Sequence, residues 1–426
     1  MTSSRHALAR ALYSAVLVLA LPAYVLRLWR RGRAEPLYRH AMAQRFGRYA
    51  GTPSAGWVWV HAVSLGETRA AAALIDALRL QKPGMRLLLT HGTATGFEAG
   101  RSLLRDGDAQ TWLPYDMPSI VARFLARFRP VVGVLMETEI WPGLLLAARA
   151  AAVPMVLANA RLSEKSRSKG TRFDVLLRPA IESLAIVLAQ TEADAQRLGA
   201  SGAREVVVCG NLKFDVTPDP AQLAQGRAWR SLLQRNVVLA AITREGEEAL
   251  VLAAWAGVAE PRPLLVIVPR HPQRFDEVAA LVQARGLTLA RRSAWAETPP
   301  AEALQAQVWL GDSMREMALY YAVASVALLG GSFARLGGHN LIEAAACGCP
   351  VVMGPHTFNF ADAAEMAIEA GAAIRTVDMP QALGRAMALL APEVNRQASA
   401  SALRFAARHR GAAVRMAERI VGLMPR

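Results

Sequence analysis

The sequence predicts an α/β protein: two doubly wound, parallel-sheet halves facing a cleft, preceded by a membrane-anchoring helix. Three observations carry this. From Trp57 onward, short apolar strands alternate with segments whose apolar residues recur at helical spacing, the signature of parallel strands joined by crossover helices. The alternation stops at Val216–Arg227, a stretch holding Pro218 and Pro220, and restarts at Val237. Ahead of both halves lies an almost uncharged run, Ala11 to Trp29. A chain of 426 residues also exceeds what one ordinary core organises. The expected division is an anchor over residues 1–35, a first α/β domain over 36–215, a linker over 216–230 and a second α/β domain over 231–426 ending in a basic helix.

The formal charge of +15 invites a nucleic-acid partner until it is located. Residues 1–50 hold nine Lys or Arg against one Glu, and residues 401–426 hold six Arg against one Glu. The 350 residues between them carry only +2. The basicity therefore sits at the two ends and lines no central groove, and no zinc-ligand spacing, aromatic RNA-binding strip or repeat accompanies it. Anionic lipid headgroups suit such ends better than nucleic acid, which stays a minor alternative that a gel shift persisting after removal of residues 1–33 would support. Cys209, Cys347 and Cys349 make an odd number without nearby histidine ligands, which reads as small buried residues in a reducing compartment.

The run from Ala11 to Trp29 is just long enough to cross a bilayer core. Arg27, Arg30, Arg31 and Arg33 outweigh Arg5 and Arg10, which puts the body of the protein on the cytoplasmic side. Pro22 and Trp29 equally suit a helix lying in the headgroup region, so spanning and lying both stay open. Strands are expected at Trp57–Val63, Arg86–Thr90, Ala109–Leu113, Val131–Met136, Met155–Ala158, Ala185–Ala189 and Glu205–Cys209. After the linker they follow at Val237–Ile242, Leu264–Val268, Gln307–Leu310, Val326–Leu329 and Pro350–Met353. The last helix is expected over Leu403–Leu423, basic and amphipathic.

Chemistry is expected at the carboxyl ends of these strands, where open α/β sheets bind ligands. In the first half, Glu67 lies where a strand hands over to a helix whose apolar positions are Ala70, Ala71, Leu74, Ala77 and Leu78. Ser64 to Glu67 is equally a capping box, and the two readings stand side by side. Glu137 and Glu139 sit two residues apart after another strand, so in extended chain they face the same way and repel unless a cation or polar ligand separates them. A charged helix start, with Pro142 in the first turn, is the rival reading. Asn159–Lys165 is a polar, basic loop after a buried strand, and Lys213 precedes the linker as one of only four lysines among 49 basic residues.

The second half suits a nucleotide. Arg270 follows a strand; Ser313-Met314-Arg315-Glu316 opens a helix with capping-box spacing; Gly330-Gly331 ends a strand; Gly337-Gly338-His339-Asn340 leads into a helix containing Glu343. Glycines let backbone approach an oxyanion, and a helix N-terminus offers free N–H groups to phosphate. Glu343, one turn in, suits the two hydroxyls of a ribose, although Asn340 to Glu343 is also capping-box spacing. No Asp-x-Asp appears in a cleft loop, and no Walker A or Gly-x-Gly-x-x-Gly sequence and no other convincing divalent-metal cluster is found, so the reading is of a donor neutralised by Arg270, Lys213 and a helix terminus without metal.

Assembled, these motifs resemble the Kdo transferases, the 3-deoxy-D-manno-octulosonic acid transferases of lipid A. The resemblance rests on RLWRRGR at Arg27–Arg33, HAVSLGE at His61–Glu67, LPYD at Leu113–Asp116, METEIWP at Met136–Pro142, NARLS at Asn159–Ser163 and NLKFD at Asn211–Asp215. It continues through REGEE at Arg244–Glu248, VPRHPQRF at Val268–Phe275, GDSMREM, GGHNLIEAAA and MGPHTFNF at Met353–Phe360. It implies a GT-B fold of two Rossmann-like domains and an inverting, metal-independent transfer of Kdo from CMP-Kdo to the lipid A precursor (lipid IVA), at the inner membrane with the catalytic domains on its cytoplasmic face. It further implies no cofactor, Glu67 as general base, and Glu137 and Lys213 as stabilisers of the transition state. Pro269, Arg270, Met314, Arg315, Glu316, Asn340, Leu341, Ile342 and Glu343 would border the CMP. The chain departs from the pattern at Leu341-Ile342, where Pro-Leu is frequent, at Arg315, where Gly is frequent, and at Asn211, where Ser is frequent. Two other readings are another GT-B glycosyltransferase with a different sugar nucleotide and a polyprenyl acceptor, and a non-catalytic membrane-bound protein that binds a nucleotide sugar. Turnover of CMP-Kdo with no response to UDP-sugars excludes the first, and CMP bound without any transfer favours the second.

Overall fold

A computed structural model describes residues 2–425. The chain divides into two compact units. The first runs to Asp215 and takes the chain back from Gly411 onward; the second is Val216–Arg410.

The first unit is built on seven strands: β1 (Trp57–His61), β2 (Arg86–His91), β3 (Ala109–Trp112), β4 (Pro130–Met136), β5 (Met155–Ala160), β6 (Ile186–Ala189) and β7 (Val206–Val208). Their order is β3-β2-β1-β4-β5-β6-β7, with every pairing parallel. Strand residues alternate faces, so Val58 and Val60 pack with Leu74 and Leu78 of helix Leu65–Gln81 on one side. Trp57 and Trp59 pack with Phe124 and Phe128 of helix Pro118–Phe128 on the other. Both faces are covered, which is why the strands read as continuous apolar runs. The order reverses direction between β1 and β4, and that switch point places the segments following β1 and β4 beside each other.

The second unit repeats the plan with β8 (Val237–Thr243), β9 (Leu264–Pro269), β10 (Leu289–Arg291), β11 (Val308–Leu310), β12 (Val326–Leu329), β13 (Val351–Met353) and β14 (Ala373–Arg375). The order is β10-β11-β9-β8-β12-β13-β14, again parallel, and its switch point lies between β8 and β12.

Several expectations change. The linker expected over 216–230 is extended only at its start, because Asp219 accepts from the Ala221 and Gln222 amides and caps a helix, Pro220–Leu233. The single terminal helix is two, Pro392–His409 and Ala412–Val421, parted at Gly411, whose φ of +77° is left-handed. The second of them belongs to the first unit, where Ala412, Met416, Ala417 and Ile420 join the core against helix Leu65–Gln81. The Asp215 carboxylate fixes this return, accepting from the Gly411 and Ala413 amides at 2.9 and 2.7 Å. The residues expected to anchor the chain form one helix, Thr2–Arg31, long and apolar enough by length and composition to cross a membrane.

Candidate active site

At the switch point of the first unit, Ser64 caps helix Leu65–Gln81, its hydroxyl accepting from the Glu67 amide. Glu67 reaches back: one carboxylate oxygen accepts from the Val63 amide at 2.9 Å and the other from the Ser64 hydroxyl at 3.1 Å. The capping box is thus formed, yet it does not exhaust the carboxylate, since each oxygen keeps a second lone pair. Burial pushes the Glu67 carboxyl above its usual range, and the charges of Glu139 and Glu137 push it the same way; the two hydrogen bonds partly oppose them. A carboxylate with a raised proton affinity at a strand terminus is placed to take a proton.

The expected parallel pair of acids is not formed. Glu137 adopts a left-handed φ of +57°, and the chain turns there instead of extending. Its buried carboxylate is shared between two cations: Arg161 Nε at 2.9 Å on one oxygen and Lys213 Nζ at 3.7 Å on the other. Glu139 turns elsewhere, accepting from Trp141 Nε1 at 2.8 Å, with His61 Nε2 3.7 Å away. Asn159, fully buried and also left-handed, accepts from the Leu212 amide at 3.0 Å and so holds the 3-10 turn that presents Lys213. The Asn211 side chain caps that turn through the Lys213 amide at 2.9 Å. The structure therefore brings Glu67, Glu137 and Lys213 to one edge of one sheet. Asn159 was legible only as part of a polar loop.

In the second unit, Glu247 organises the switch point. Its buried carboxylate accepts from four backbone amides, those of Arg244, Gly331, Phe333 and Ala334, at 2.8 to 3.2 Å, and ties the segment after β8 to the glycine turn after β12. Glu248, equally buried, accepts from Thr243 and from Arg274, which follows β9. Arg270, Arg244 and His271 lie near His339, and their charges, after burial, depress the His339 imidazole to about 4. The two arginines gathered beside the glycine turn, Arg244 and Arg270, suit an anion by composition. Arg244, Glu247 and His339 had no role assigned from sequence, although REGEE and GGHN stood out as motifs.

Asn340 caps helix Leu341–Ala346 through the Ile342 amide, not through that of Glu343, and its amide nitrogen donates to Glu343 at 3.3 Å. Burial pushes the Glu343 carboxyl upward. The expected cap at Ser313 is not formed: helix Met317–Val323 starts after Glu316, and the Ser313 hydroxyl pairs with Tyr320 at 2.6 Å. Arg315 holds a left-handed φ of +65° with its carbonyl accepting from Gln222, and Glu316 is gripped by Arg292 at 2.8 Å. A cavity of about 330 Å³ opens between Arg315, Met317, Tyr321, Glu343 and the chain at 216–219. Pro269 closes β9 and Met314 is exposed.

Two parallel seven-stranded sheets, each with its charged residues gathered at the switch point, make the GT-B fold. A glycosyltransferase from Rickettsia africae shares the fold, with a TM-score of 0.51 at 12% identity over 88% of this chain and 99% of that one. Residues 40–216 match the family model described as 3-deoxy-D-manno-octulosonic-acid transferase (kdotransferase). The 3-deoxy-D-manno-octulosonic acid transferase of Bordetella pertussis is 49% identical over 95% of this chain and 96% of its own length. That of Haemophilus influenzae is 32% identical over 89% and 90%. The chain belongs to the Kdo transferase family and is an enzyme of that kind.

Proposed function

We propose that this chain moves Kdo from CMP-Kdo to a hydroxyl of the lipid A precursor lipid IVA, with inversion and without a metal ion, at the cytoplasmic face of the inner membrane. The observation that carries the reading is the Glu67 carboxylate, raised in proton affinity at the β1–β4 switch point beside the Glu137–Lys213 pair. The acceptor hydroxyl gives its proton to Glu67 as its oxygen bonds to the anomeric carbon of Kdo. The bond from that carbon to the phosphate breaks on the opposite face, and CMP departs with the electron pair. Lys213, held on Glu137, is assigned to the negative charge of the transition state. The second unit is assigned to the donor: Pro269, Arg270 and Arg244 to the phosphate, Glu343 to the ribose, and Met314, Arg315, Glu316, Asn340, Leu341 and Ile342 to the rest of the CMP border. The charge that the departing phosphate develops is assigned to these cations rather than to a metal ion. The apolar helix Thr2–Arg31 supports the membrane location.

The test is Glu67→Gln, assayed with CMP-Kdo and detergent-dispersed lipid IVA in excess EDTA, with the product identified by mass spectrometry. The wild type is expected to add Kdo under these conditions. The variant should lose about a hundred- to ten-thousand-fold in rate while binding CMP normally. A near-normal variant rate would make Glu67 a cap only, and wild-type activity that vanishes with EDTA and returns with magnesium would overturn the metal-free mechanism.

A further inference from the structure

The helix Thr2–Arg31 does more than carry apolar surface. One stripe along its length, including His6, Tyr13, Leu17, Leu21, Val25 and Leu28, is shielded by the first unit at a three-to-four-residue spacing. His6 bonds the Val175 carbonyl at 2.7 Å, and near the middle of the helix the Tyr13 hydroxyl donates to Asp116 at 2.9 Å. Tyr24 sets its ring edge-on to Tyr115, centroids 5.7 Å apart, so two consecutive residues after β3 are held by this one helix.

Asp116 is only 5% exposed, and its remaining contacts lead to the catalytic edge. Its carboxylate accepts from the Gly143 amide at 3.0 Å and the Leu144 amide at 2.5 Å. These are free amides in the first turn of helix Pro142–Ala150, whose N-cap residue Trp141 supplies no side-chain acceptor. Asp116 therefore caps that helix from a distance, and Gly143 is required there, since a Cβ would stand 2.7 Å from the carboxylate. The segment entering the helix is the turn Glu137–Trp141, which holds Glu137 on Lys213 and Glu139 beside His61. A buried carboxylate accepting three bonds loses a third of its donors when Tyr13 leaves.

We propose that Tyr13 is a positioning residue for Kdo transfer: the seating of the N-terminal helix sets the turn bearing Glu137 and Glu139 through Asp116. The inference rests on the transferase reading above. Its test is Tyr13→Phe in the full chain, which keeps the ring and removes only the hydroxyl. The variant is expected to lose three- to tenfold in kcat with the KM for CMP-Kdo unchanged, and the amides of Gly143 and Leu144 should exchange hydrogen faster. Asp116→Asn should act in the same direction, and the double variant should lose less than the product of the two single losses. A lowered Tm with wild-type kcat would make Tyr13 merely structural and overturn the proposal, as would independent, multiplicative losses. If the wild type transfers no Kdo, the transferase reading fails while the exchange measurement still decides the coupling: unchanged exchange at Gly143 and Leu144 overturns it.

Discussion

Arg315 shows how a single residue records the site around it. Its φ of +65° is a conformation that costs an L-residue with a side chain roughly 1–2 kcal/mol, while glycine adopts it freely. The loop is held in it from outside, by Gln222 on the Arg315 carbonyl and by Arg292 on Glu316. Arg315→Gly removes the strain but adds about 0.5–1 kcal/mol of unfolded-state entropy, so a net gain of up to about 1.5 kcal/mol is expected. If Arg315 borders the CMP through its backbone rather than its guanidinium, the KM for CMP-Kdo should not move. A thermal melt and a donor titration check both, and a several-fold rise in KM would show that the guanidinium itself touches the donor. Glu67 behaves in the opposite sense to a stabilising carboxylate. With its folded-state pKa raised, its contribution to stability is fullest below the unfolded carboxylate range and is lost as pH rises through the folded value. Glu67→Gln should accordingly be no less stable than the wild type near neutral pH, with any advantage vanishing in acid. These residue-level facts were only partly legible. A carboxylate after a strand and a lysine among arginines could be read, but the left-handed turn that parts Glu137 from Glu139 depends on Arg161, 24 positions on, and on Lys213.

At the scale of elements, most of the twelve expected strands have covered faces, where Val, Leu, Ile and Ala runs announce burial, and the part-exposed edge strand β7 was still legible from its three valines. The two that escaped, β10 and β14, are edge strands of three residues ending in Arg291 and Arg375. Their arginines engage Asp312, Asp276 and Glu365, so the polar signal that hid the strands comes from the ion pairs at the sheet margins. The placement of the last helix escaped for a different reason. Its apolar stripe was visible, but a stripe does not name its partner, and the partner is helix Leu65–Gln81, more than 300 positions earlier. Met416 tests that assignment. It is fully buried in the first unit's core, and Met416→Ala should cost about 2–5 kcal/mol. Faster hydrogen exchange in the strands of the first unit, with the second unit and CMP binding unaffected, is the expected pattern. A loss below about 1 kcal/mol, or one confined to the second unit, would contradict the core it was placed in.

For the whole molecule, the proposed reading makes the N-terminal helix the surface through which the enzyme meets a lipid. With its inner stripe committed to the first unit, the remaining circumference presents Leu8, Leu12, Val16 and Leu19, each 54–80% exposed. Burying such a side chain in lipid is worth about 1.5–3 kcal/mol when complete, and each arginine near an anionic surface adds about 1 kcal/mol that salt screens. Two terms of similar size predict a graded release. In high salt alone, most of the wild-type protein should stay with vesicles containing anionic lipid. Leu12→Asn combined with Leu19→Asn, both on the outer side and clear of Tyr13, should release part of the protein at low salt and nearly all at high salt. Turnover of detergent-dispersed acceptor should hold at the wild-type rate, because neither substitution touches the Asp116 contact. Undiminished sedimentation of the double variant in high salt would move the lipid-binding surface off this helix. Equal release of wild type and variant by salt alone would leave the arginines, not the apolar face, as what holds the protein to the membrane.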